Sequence, residues 1–266
     1  MEKIYSIKNP SGKRLPILLS SPHSGVNFPV EIKGKFREEI VNHPTDTDWF
    51  VDRLYDFAPK MGITQISANY SRYVVDLNRD FKGESLYHDG RFLTSVVPSH
   101  TFSKKPLYKG DPPSNEDIQD RLDKYYWPYY KKIEEILTDI KNEFGYAILF
   151  DCHSIKRNVS SISDHPFPDL ILGDNDELSA DKKLINVALE TLGAQKVFEV
   201  FHNTPFKGGH LTRWFGKPEE GIHALQLEMS QDLYLDELND YYMELKAALI
   251  RDRLRETLIN LAKENL

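Results

Sequence analysis

Short apolar runs alternate along this chain with longer amphipathic segments, and this alternation limits the possible fold more than any other feature. Branched apolar residues bounded by turn-forming residues favour buried strands. Five runs have this character: residues 16–20 (PILLS), 63–67, 73–77 (YVVDL), 146–150 (YAILF) and 223–227 (HALQL). Four segments have the spacing of a helix: residues 48–59, 114–144, which contains Pro128, 179–192 and 235–262.

Strands that alternate with helices predict an α/β fold with a largely parallel or mixed central sheet. We expect the 266 residues to form one domain, because no change of composition forces a boundary between two. The segments 82–113 and 155–215 are rich in Pro, Gly, Ser and Lys, and we expect them to supply walls or lids of a pocket.

Polar residues follow four of the predicted strands directly. His23 follows the first run, Asn78 and Arg79 follow YVVDL, His153 follows YAILF, and Glu228 follows HALQL. Ligands of open α/β sheets bind beyond the carboxyl ends of strands. These residues therefore predict a functional site at one edge of the sheet.

Charge and composition exclude several classes of protein. The formal net charge is −7 and the sequence pI is about 5.7, so binding to the phosphate backbone of nucleic acid is not expected. Cys152 is the single cysteine and cannot form an intramolecular disulfide. The first residues have no apolar signal-peptide region, and no stretch approaches the roughly 20 apolar residues of a spanning helix. We expect a soluble, cytoplasmic protein that does not bind membranes.

The two histidines after buried strands are candidate metal ligands. A neutral imidazole binds zinc well, and catalytic zinc usually has three protein ligands and one open position. A thiolate from Cys152 is less expected, because this residue follows an apolar strand. The third ligand is then a carboxylate, from Asp46 or Asp48, although either could instead cap the helix that follows. The local sequence does not choose between them.

Glu228 is the candidate general base. It ends an apolar run, and removal of a carboxylate from water raises its pKa towards neutrality, where it accepts protons efficiently. The structural alternative is a surface glutamate at the end of a strand.

Three arginines are candidates for binding an anionic substrate. A guanidinium binds a carboxylate through two parallel hydrogen bonds, so Arg72 and Arg79, on either side of one predicted strand, suit a dicarboxylate. Arg213 follows the glycine pair of FKGGHLTRWFG and is the third candidate. The structural alternative is an internal ion pair, for which Asp76 is the available partner.

Three familiar catalytic and nucleotide-binding patterns are absent from the sequence. It has no G-x-S-x-G, no H-E-x-x-H and no glycine-rich phosphate loop. A serine hydrolase of the common type, a zincin protease and a nucleotide-binding protein are therefore not supported.

Six segments, in order, resemble the N-formylglutamate amidohydrolase family. They are SPHSGVNFP, DTDWFVDRLY, YSRYVVDLNRD, FDCHSI, FKGGHLTRWFG and ALQLEMSQ, and they extend over about residues 15–235. The resemblance implies a phosphorylase/hydrolase-like α/β/α fold with a central mixed sheet. It also implies kinship with zinc carboxypeptidases and aspartoacylase-like enzymes.

The resemblance implies a role for each matching residue. One Zn²⁺ per chain would be held by His23, Asp46 and His153, and Glu228 would be the general base. The H-x-x-E motif of carboxypeptidases is not kept, because Val26 stands three residues after His23.

The resemblance also implies how the substrate is bound. Asn78 and Arg79 are similar to an Asn-Arg pair that binds the substrate carboxylate in aspartoacylase-like enzymes. Arg72 or Arg213 would then bind the second carboxylate or stabilise the oxyanion.

The implied activity is hydrolysis of N-formyl-L-glutamate to formate and L-glutamate, a step of histidine catabolism. Two alternatives are a zinc deacylase for another N-acyl amino acid or small amide, and a non-catalytic protein of the same fold that binds anions. The sequence leaves the oligomeric state undetermined.

Overall fold

The computed structural model describes residues 3–84 and 93–264, which are built around a seven-stranded sheet. The strands of this sheet are β1 (Tyr5–Lys8), β2 (Ile17–Ser21), β3 (Thr64–Ala68), β4 (Ala147–Ile155), β5 (Leu170–Gly173), β6 (Val200–His202) and β7 (Ile222–Ser230). A separate two-stranded ribbon consists of β8 (Leu235–Asp236) and β9 (Tyr241–Tyr242).

The sheet is mixed, with the order β1-β3-β2-β4-β7-β5-β6. Strands β3, β2, β4 and β7 are parallel to one another. Strand β1 is antiparallel to β3, and β5 is antiparallel to β7, while β6 is parallel to β5. The carboxyl ends of the four central strands therefore lie at one edge of the sheet.

Eight α-helices flank the sheet or connect its strands in the described part of the chain. They are α1 (Val30–Lys33), α2 (Glu38–Asn42), α3 (Val51–Leu54), α4 (Asn115–Arg121), α5 (Trp127–Phe144), α6 (Lys182–Leu192), α7 (His210–Phe215) and α8 (Glu244–Leu261). Short 3₁₀ turns occur at Ala58–Met61, Ala194–Lys196, Pro218–Glu220 and Gln231–Leu233. In the ranges 3–84 and 93–264, no helix combines the length and apolar character needed to cross a bilayer.

The expected three-layer α/β/α arrangement is confirmed by the two hydrophobic clusters that cover the sheet. Side chains alternate between the faces of a strand, so Leu149 of β4 packs with Leu137 of α5 on one face. Ile148 packs on the other face with the cluster that contains Leu184 of α6 and Leu254 of α8. Both faces of the central strands are buried, which explains why these strands are continuous apolar runs.

Residues 73–77 do not form the strand that their apolar character predicts. The segment consists of turns, in which Val74 N–H donates to the Ser71 carbonyl and Arg79 N–H donates to the Asp76 carbonyl. Its apolar side chains are buried in the α5-side cluster. A short apolar run indicates burial, and a buried turn can have the same run as a buried strand.

Two of the predicted helices are shorter than expected. Residues 48–59 contain only α3 and a 3₁₀ turn, and the backbone of Phe50 before α3 is left-handed, with φ of 59°. The predicted helix 235–262 begins with the β8–β9 ribbon, so that α8 starts only at residue 244.

The long predicted helix 114–144 is interrupted by a π-helical turn at Leu122–Tyr126, just before Pro128. Proline has no N–H for the usual bond within a helix, and a local π-helical turn is a common way to accommodate the interruption.

Candidate metal and catalytic site

Two histidines and one aspartate meet at the carboxyl edge of the central strands. The candidate ligand atoms of His23, Asp48 and His153 all lie within 4.8 Å of one another, and the three residues are buried. His23 follows β2, Asp48 precedes α3, and His153 lies in β4. Elements that are distant in the sequence therefore bring together one group of metal-binding side chains, which we call the His–Asp–His group.

Each histidine ring has a further aspartate at its Nε2 atom, a different one for each ring. Nε2 of His23 lies 2.7 Å from Oδ1 of Asp76, and Nε2 of His153 lies 2.9 Å from Oδ2 of Asp151. Because an ionised carboxylate only accepts hydrogen bonds, Nε2 must carry the proton in both rings. This leaves Nδ1 of both neutral histidines as an electron-pair donor. Metal-binding histidines commonly have such a carboxylate partner on the other nitrogen.

The two Nδ1 atoms face the same oxygen of Asp48. Oδ2 of Asp48 is 3.0 Å from Nδ1 of His153 and 3.7 Å from Nδ1 of His23. Among the described residues, buried Nδ1 of His23 has no hydrogen-bond partner. Neutral histidines here would bring lone pairs towards a carboxylate, so the group requires a positive charge, from protons or from a metal ion. The residues present therefore fit a cation with two nitrogen ligands and one oxygen ligand.

The electrostatics of the group show the same requirement. Burial opposes the charged form of Asp48, but the adjacent imidazoles of His153 and His23 hold its pKa well below the ordinary value. Burial also opposes a charged His153, yet the charges of Asp151 and Asp48 raise the pKa of this histidine well above its ordinary value. In the absence of metal, a proton on His153 thus supplies the positive charge.

The structure does not bring Asp46 into the His–Asp–His group, which corrects the expectation that it joins the two histidines. Its Oδ2 instead accepts a hydrogen bond of 2.7 Å from the backbone N–H of Phe102. Because the two aspartates are separated by one residue, the backbone turn at 44–48 directs them to different partners. Neither acts as the helix cap considered above, because the cap residue of α3 is Phe50 and it has no side-chain bond.

Glu228 lies beside His153, as the pairing of β4 with β7 requires. In this parallel register His153 is opposite Glu228, and Asp151 is opposite Gln226. Glu228 lines the same cleft as the His–Asp–His group but is inside β7 rather than at its end. Its burial, with a contribution from the charge of Asp48 and despite that of His153, raises the pKa of Glu228 to about 8. A carboxylate with this property suits proton transfer near neutral pH.

Arg72 and Arg79 also line the cleft. The guanidinium of Arg72 donates a 2.7 Å bond to Asp76 and lies 3.7 Å from Oδ1 of Asp48. Asp76 thus connects Arg72 to His23, so the structural alternative of an internal ion pair is realised for this arginine. The Arg79 side chain is 20% exposed, and its Nε donates to the carbonyl of Thr94.

Asn78 lines the cleft, but its amide is engaged by protein groups. Nδ2 donates to Gln226 at 3.2 Å and to Asp151 at 3.4 Å, while Oδ1 accepts from the N–H of Leu211. Asp151 in turn accepts from Nε2 of His153. These contacts are those of a residue that positions the histidine.

The structure does not bring Arg213 to the cleft. It lies on α7, outside the described residues that line the cleft, and its Nε donates to the Gly208 carbonyl. The glycine pair in the same segment does not position the arginine. Instead, Gly209 allows the backbone to lie close to the side chain of Asn78.

Sequence reasoning gave no role to Asp151, Gln226 or Phe102, and considered Asp76 only as the partner of an arginine. The signal for two of these was available: residues two apart in a strand share a face, so Asp151 belongs with His153 and Gln226 with Glu228. No comparable signal exists for Phe102, which reaches the cleft from an irregular loop.

A three-layer α/β fold with a buried His–Asp–His group, a neighbouring glutamate and two arginines is typical of hydrolases that act with a bound metal ion. The comparison with protein families makes the assignment specific. The family model for N-formylglutamate amidohydrolase matches residues 15–235, and the chain belongs to this family.

Similar proteins cover nearly the whole chain. It is 39% identical over 264 residues to an N-formylglutamate deformylase of Pseudomonas aeruginosa, with 97% of each chain covered. It is 36% identical to an N-formylglutamate deformylase of Pseudomonas putida, covering 91% of this chain and 88% of the relative. The crystal structure of N-formylglutamate amidohydrolase from Ralstonia eutropha JMP134 superposes with a TM-score of 0.80 at 26% identity, covering 97% and 96% of the two chains.

Proposed function

We propose that this protein hydrolyses N-formyl-L-glutamate to formate and L-glutamate, with one zinc ion held by His23, Asp48 and His153. The observation that carries the metal is the meeting of two carboxylate-oriented Nδ1 atoms with the buried carboxylate of Asp48. Family membership, together with relatives described as N-formylglutamate deformylases, supports the substrate. We include in this proposal a cytoplasmic location and a place in histidine catabolism.

Two nitrogen ligands and one oxygen ligand suit zinc, which commonly has three protein ligands in catalytic sites. When bound, zinc supplies Lewis-acid polarisation of the amide carbonyl and makes water a better nucleophile near neutral pH. Asp76 and Asp151 hold the two imidazole rings in the orientation that presents Nδ1.

Glu228 performs the proton transfers of the proposed reaction. Its carboxylate accepts a proton from the attacking water as the new C–O bond forms at the formyl carbon. The same proton then moves to the amide nitrogen, so that the C–N bond breaks and glutamate leaves as an amine. The raised pKa of Glu228 suits both directions of transfer, because the group gains and loses a proton near neutral pH.

The cationic side chains of the cleft orient the acidic substrate. Arg79, which is half-buried at the rim, is the proposed partner of a substrate carboxylate, since guanidinium and carboxylate form paired hydrogen bonds. Arg72 lies next to Asp48 and is fixed by Asp76, so we assign it to the negative charge that develops on the carbonyl oxygen. Asn78 donates to Asp151 and so helps to keep this partner of His153 in place.

The test is hydrolysis of N-formyl-L-glutamate by purified protein, with formate and glutamate measured separately and bound metal measured in the same sample. We expect equal release of both products, loss of activity after chelation, and recovery on addition of Zn²⁺. Full activity after verified metal removal would contradict the zinc proposal. Hydrolysis of another N-acyl amino acid with no action on the formyl compound would support the alternative deacylase.

A non-catalytic anion-binding protein is the remaining alternative. Such a protein would not need the candidate ligands or the base, whereas His23, His153 and Glu228 all line the cleft. Binding of N-formyl-L-glutamate without release of either product, in metal-loaded protein, would favour this alternative.

A further inference from the structure

Phe102 lines both the catalytic cleft and a larger cavity of about 450 Å³. Three residues, Phe102, Ser154 and Ile155, line both spaces. Ser154 is fixed, because its hydroxyl accepts a 2.8 Å bond from Tyr234 and its N–H donates to Asp48. Ile155 is buried at the end of β4. Of the three residues that line both spaces, Phe102 is the one that lies in a loop, and it has the largest side chain.

Two contacts hold Phe102 in this position. Its N–H donates to Asp46 Oδ2 at 2.7 Å, and its ring lies against the guanidinium of Arg72, with 4.8 Å between the guanidinium carbon and the ring centroid. Arg72 is itself held by Asp76 and lies next to Asp48. The ring is thus fixed relative to the His–Asp–His group.

The cleft has two sides that differ in chemistry. On one side Arg79 also lines a second space of about 230 Å³, together with Asp80 and Thr94, and Phe102 is not among the described residues that line it. On the other side the Phe102 ring adjoins Arg72, which lies beside Asp48. For a substrate whose carboxylate is at Arg79 and whose carbonyl is at the His–Asp–His group, we place the substituent on the carbonyl carbon on the side of Arg72 and Phe102.

We propose that Phe102 determines the acyl specificity of the enzyme, by closing the acyl side of the cleft to groups larger than formyl. This inference rests on the proposed function. A formyl carbon bears only hydrogen, whereas acetyl and longer groups carry a methyl or a chain that would occupy the position of the ring. Without the ring, we expect the cleft to open towards the 450 Å³ cavity, which has room for a short acyl chain. Asp46 acts through Phe102 and is a positioning residue.

The test compares kcat/KM for N-formyl-, N-acetyl- and N-butyryl-L-glutamate in the zinc-loaded wild type and three variants. Phe102→Ala is expected to raise the acetyl-to-formyl and butyryl-to-formyl ratios by at least about tenfold. Phe206→Ala is the matched control: Phe206 also lines the cleft but not the larger cavity, so the ratios are expected to stay at their wild-type values. Asp46→Ala is expected to change the ratios in the same direction as Phe102→Ala, by a smaller factor.

Ratios that are unchanged in Phe102→Ala, or raised equally in Phe206→Ala, would overturn the inference while the proposed function stands. Wild-type protein that is inactive on the formyl substrate would remove the proposed function and this inference with it. If Phe102→Ala fails to fold, Phe102→Leu provides the same comparison with a smaller opening, and it must raise the acetyl-to-formyl ratio for the inference to hold.

Discussion

At the scale of single residues, Asp46 and Asp48 show how one backbone turn divides two identical side chains between different tasks. Oδ2 of Asp48 accepts from the N–H of Ser154 and faces both histidines. Oδ2 of Asp46 accepts from the N–H of Phe102. Each carboxylate fixes a different segment at the cleft. The same substitution at the two positions can therefore be compared to test the metal proposal.

We predict that Asp48→Asn loses zinc and activity, whereas Asp46→Asn keeps zinc. The asparagine at position 48 removes a charged oxygen from a cation with only one such ligand. The apparent affinity should fall by more than the ~10–100-fold that is typical when an outer-shell partner is lost. Zinc titration of both metal-free variants measures the difference. Equal loss of zinc in both variants would contradict the assignment of Asp48.

Glu228→Gln should keep the metal and lose turnover. Glutamine has nearly the same shape but cannot accept a proton, so kcat should fall by ~10²–10⁴-fold or more. Zinc content and kcat, measured on the same preparation, test this prediction. A variant that retains near wild-type turnover would exclude Glu228 as the base.

The pH dependence of the same reaction gives an independent test of Glu228. A general base must be deprotonated, so kcat/KM should rise with pH as Glu228 loses its proton. Burial raises the pKa from the ordinary 4.5 to about 8, and a nearby bound cation opposes this shift, so the rise should fall between these two values. The residual activity of Glu228→Gln should lack this rise, and an identical profile in the variant would assign the rise to another group.

At the scale of elements, the glycine segment before α7 holds Asn78 beside Asp151, the partner of His153. Gly209 N–H donates to Oε1 of Gln226, and a Cβ on Gly209 would overlap the side-chain amide of Asn78. The glycine is required by this close approach, because no side chain fits between the segment and Asn78.

We predict that Gly209→Ala displaces Asn78 and lowers both zinc affinity and kcat, with a loss of about 1–3 kcal/mol in the free energy of unfolding from overpacking. Gly110→Ala is the control, since a Cβ at Gly110 meets no atom within 4 Å. Denaturant unfolding, together with zinc titration, measures both effects. A Gly209→Ala protein that matches Gly110→Ala would show that the contact is unimportant.

The sequence predicts the central elements well, since continuous apolar runs identify β2, β4 and β7 and place His23 and His153 near their ends. It misassigns residues 73–77, where buried turns imitate a strand. It also cannot separate Asp46 from Asp48, because the direction of each carboxylate depends on the segments that they meet, at Phe102 and Ser154. Contacts between distant loops carry no periodic signal in the sequence.

For the whole molecule, the His–Asp–His group links three distant parts of the chain. His23, Asp48 and His153 are brought together only by the assembled sheet and the turn before α3. An ion that binds this group binds the folded state in preference to the unfolded chain. Zinc should therefore stabilise the protein, by about 2.7 kcal/mol when its free concentration is 100 times the dissociation constant.

We predict that this stabilisation is smaller at pH 6 than at pH 8. Burial opposes a charged His153, but the charges of Asp151 and Asp48 raise its pKa well above the ordinary value, which favours a proton on this histidine in the metal-free protein. Zinc must displace that proton, and its apparent affinity should weaken by up to about tenfold for each unit of falling pH. Thermal unfolding with and without zinc at both pH values tests this. An equal shift at both values would contradict proton displacement.

The register between β4 and β7 makes the length of these strands as important as their composition. Asp151 and His153 share a face with Gln226 and Glu228 only because both strands keep their alternation through nine paired positions. One inserted or deleted residue in β4 would turn Cys152 and Ser154 towards the cleft in place of the acid and the imidazole. These two strands can therefore accept substitutions but not a change in the number of residues.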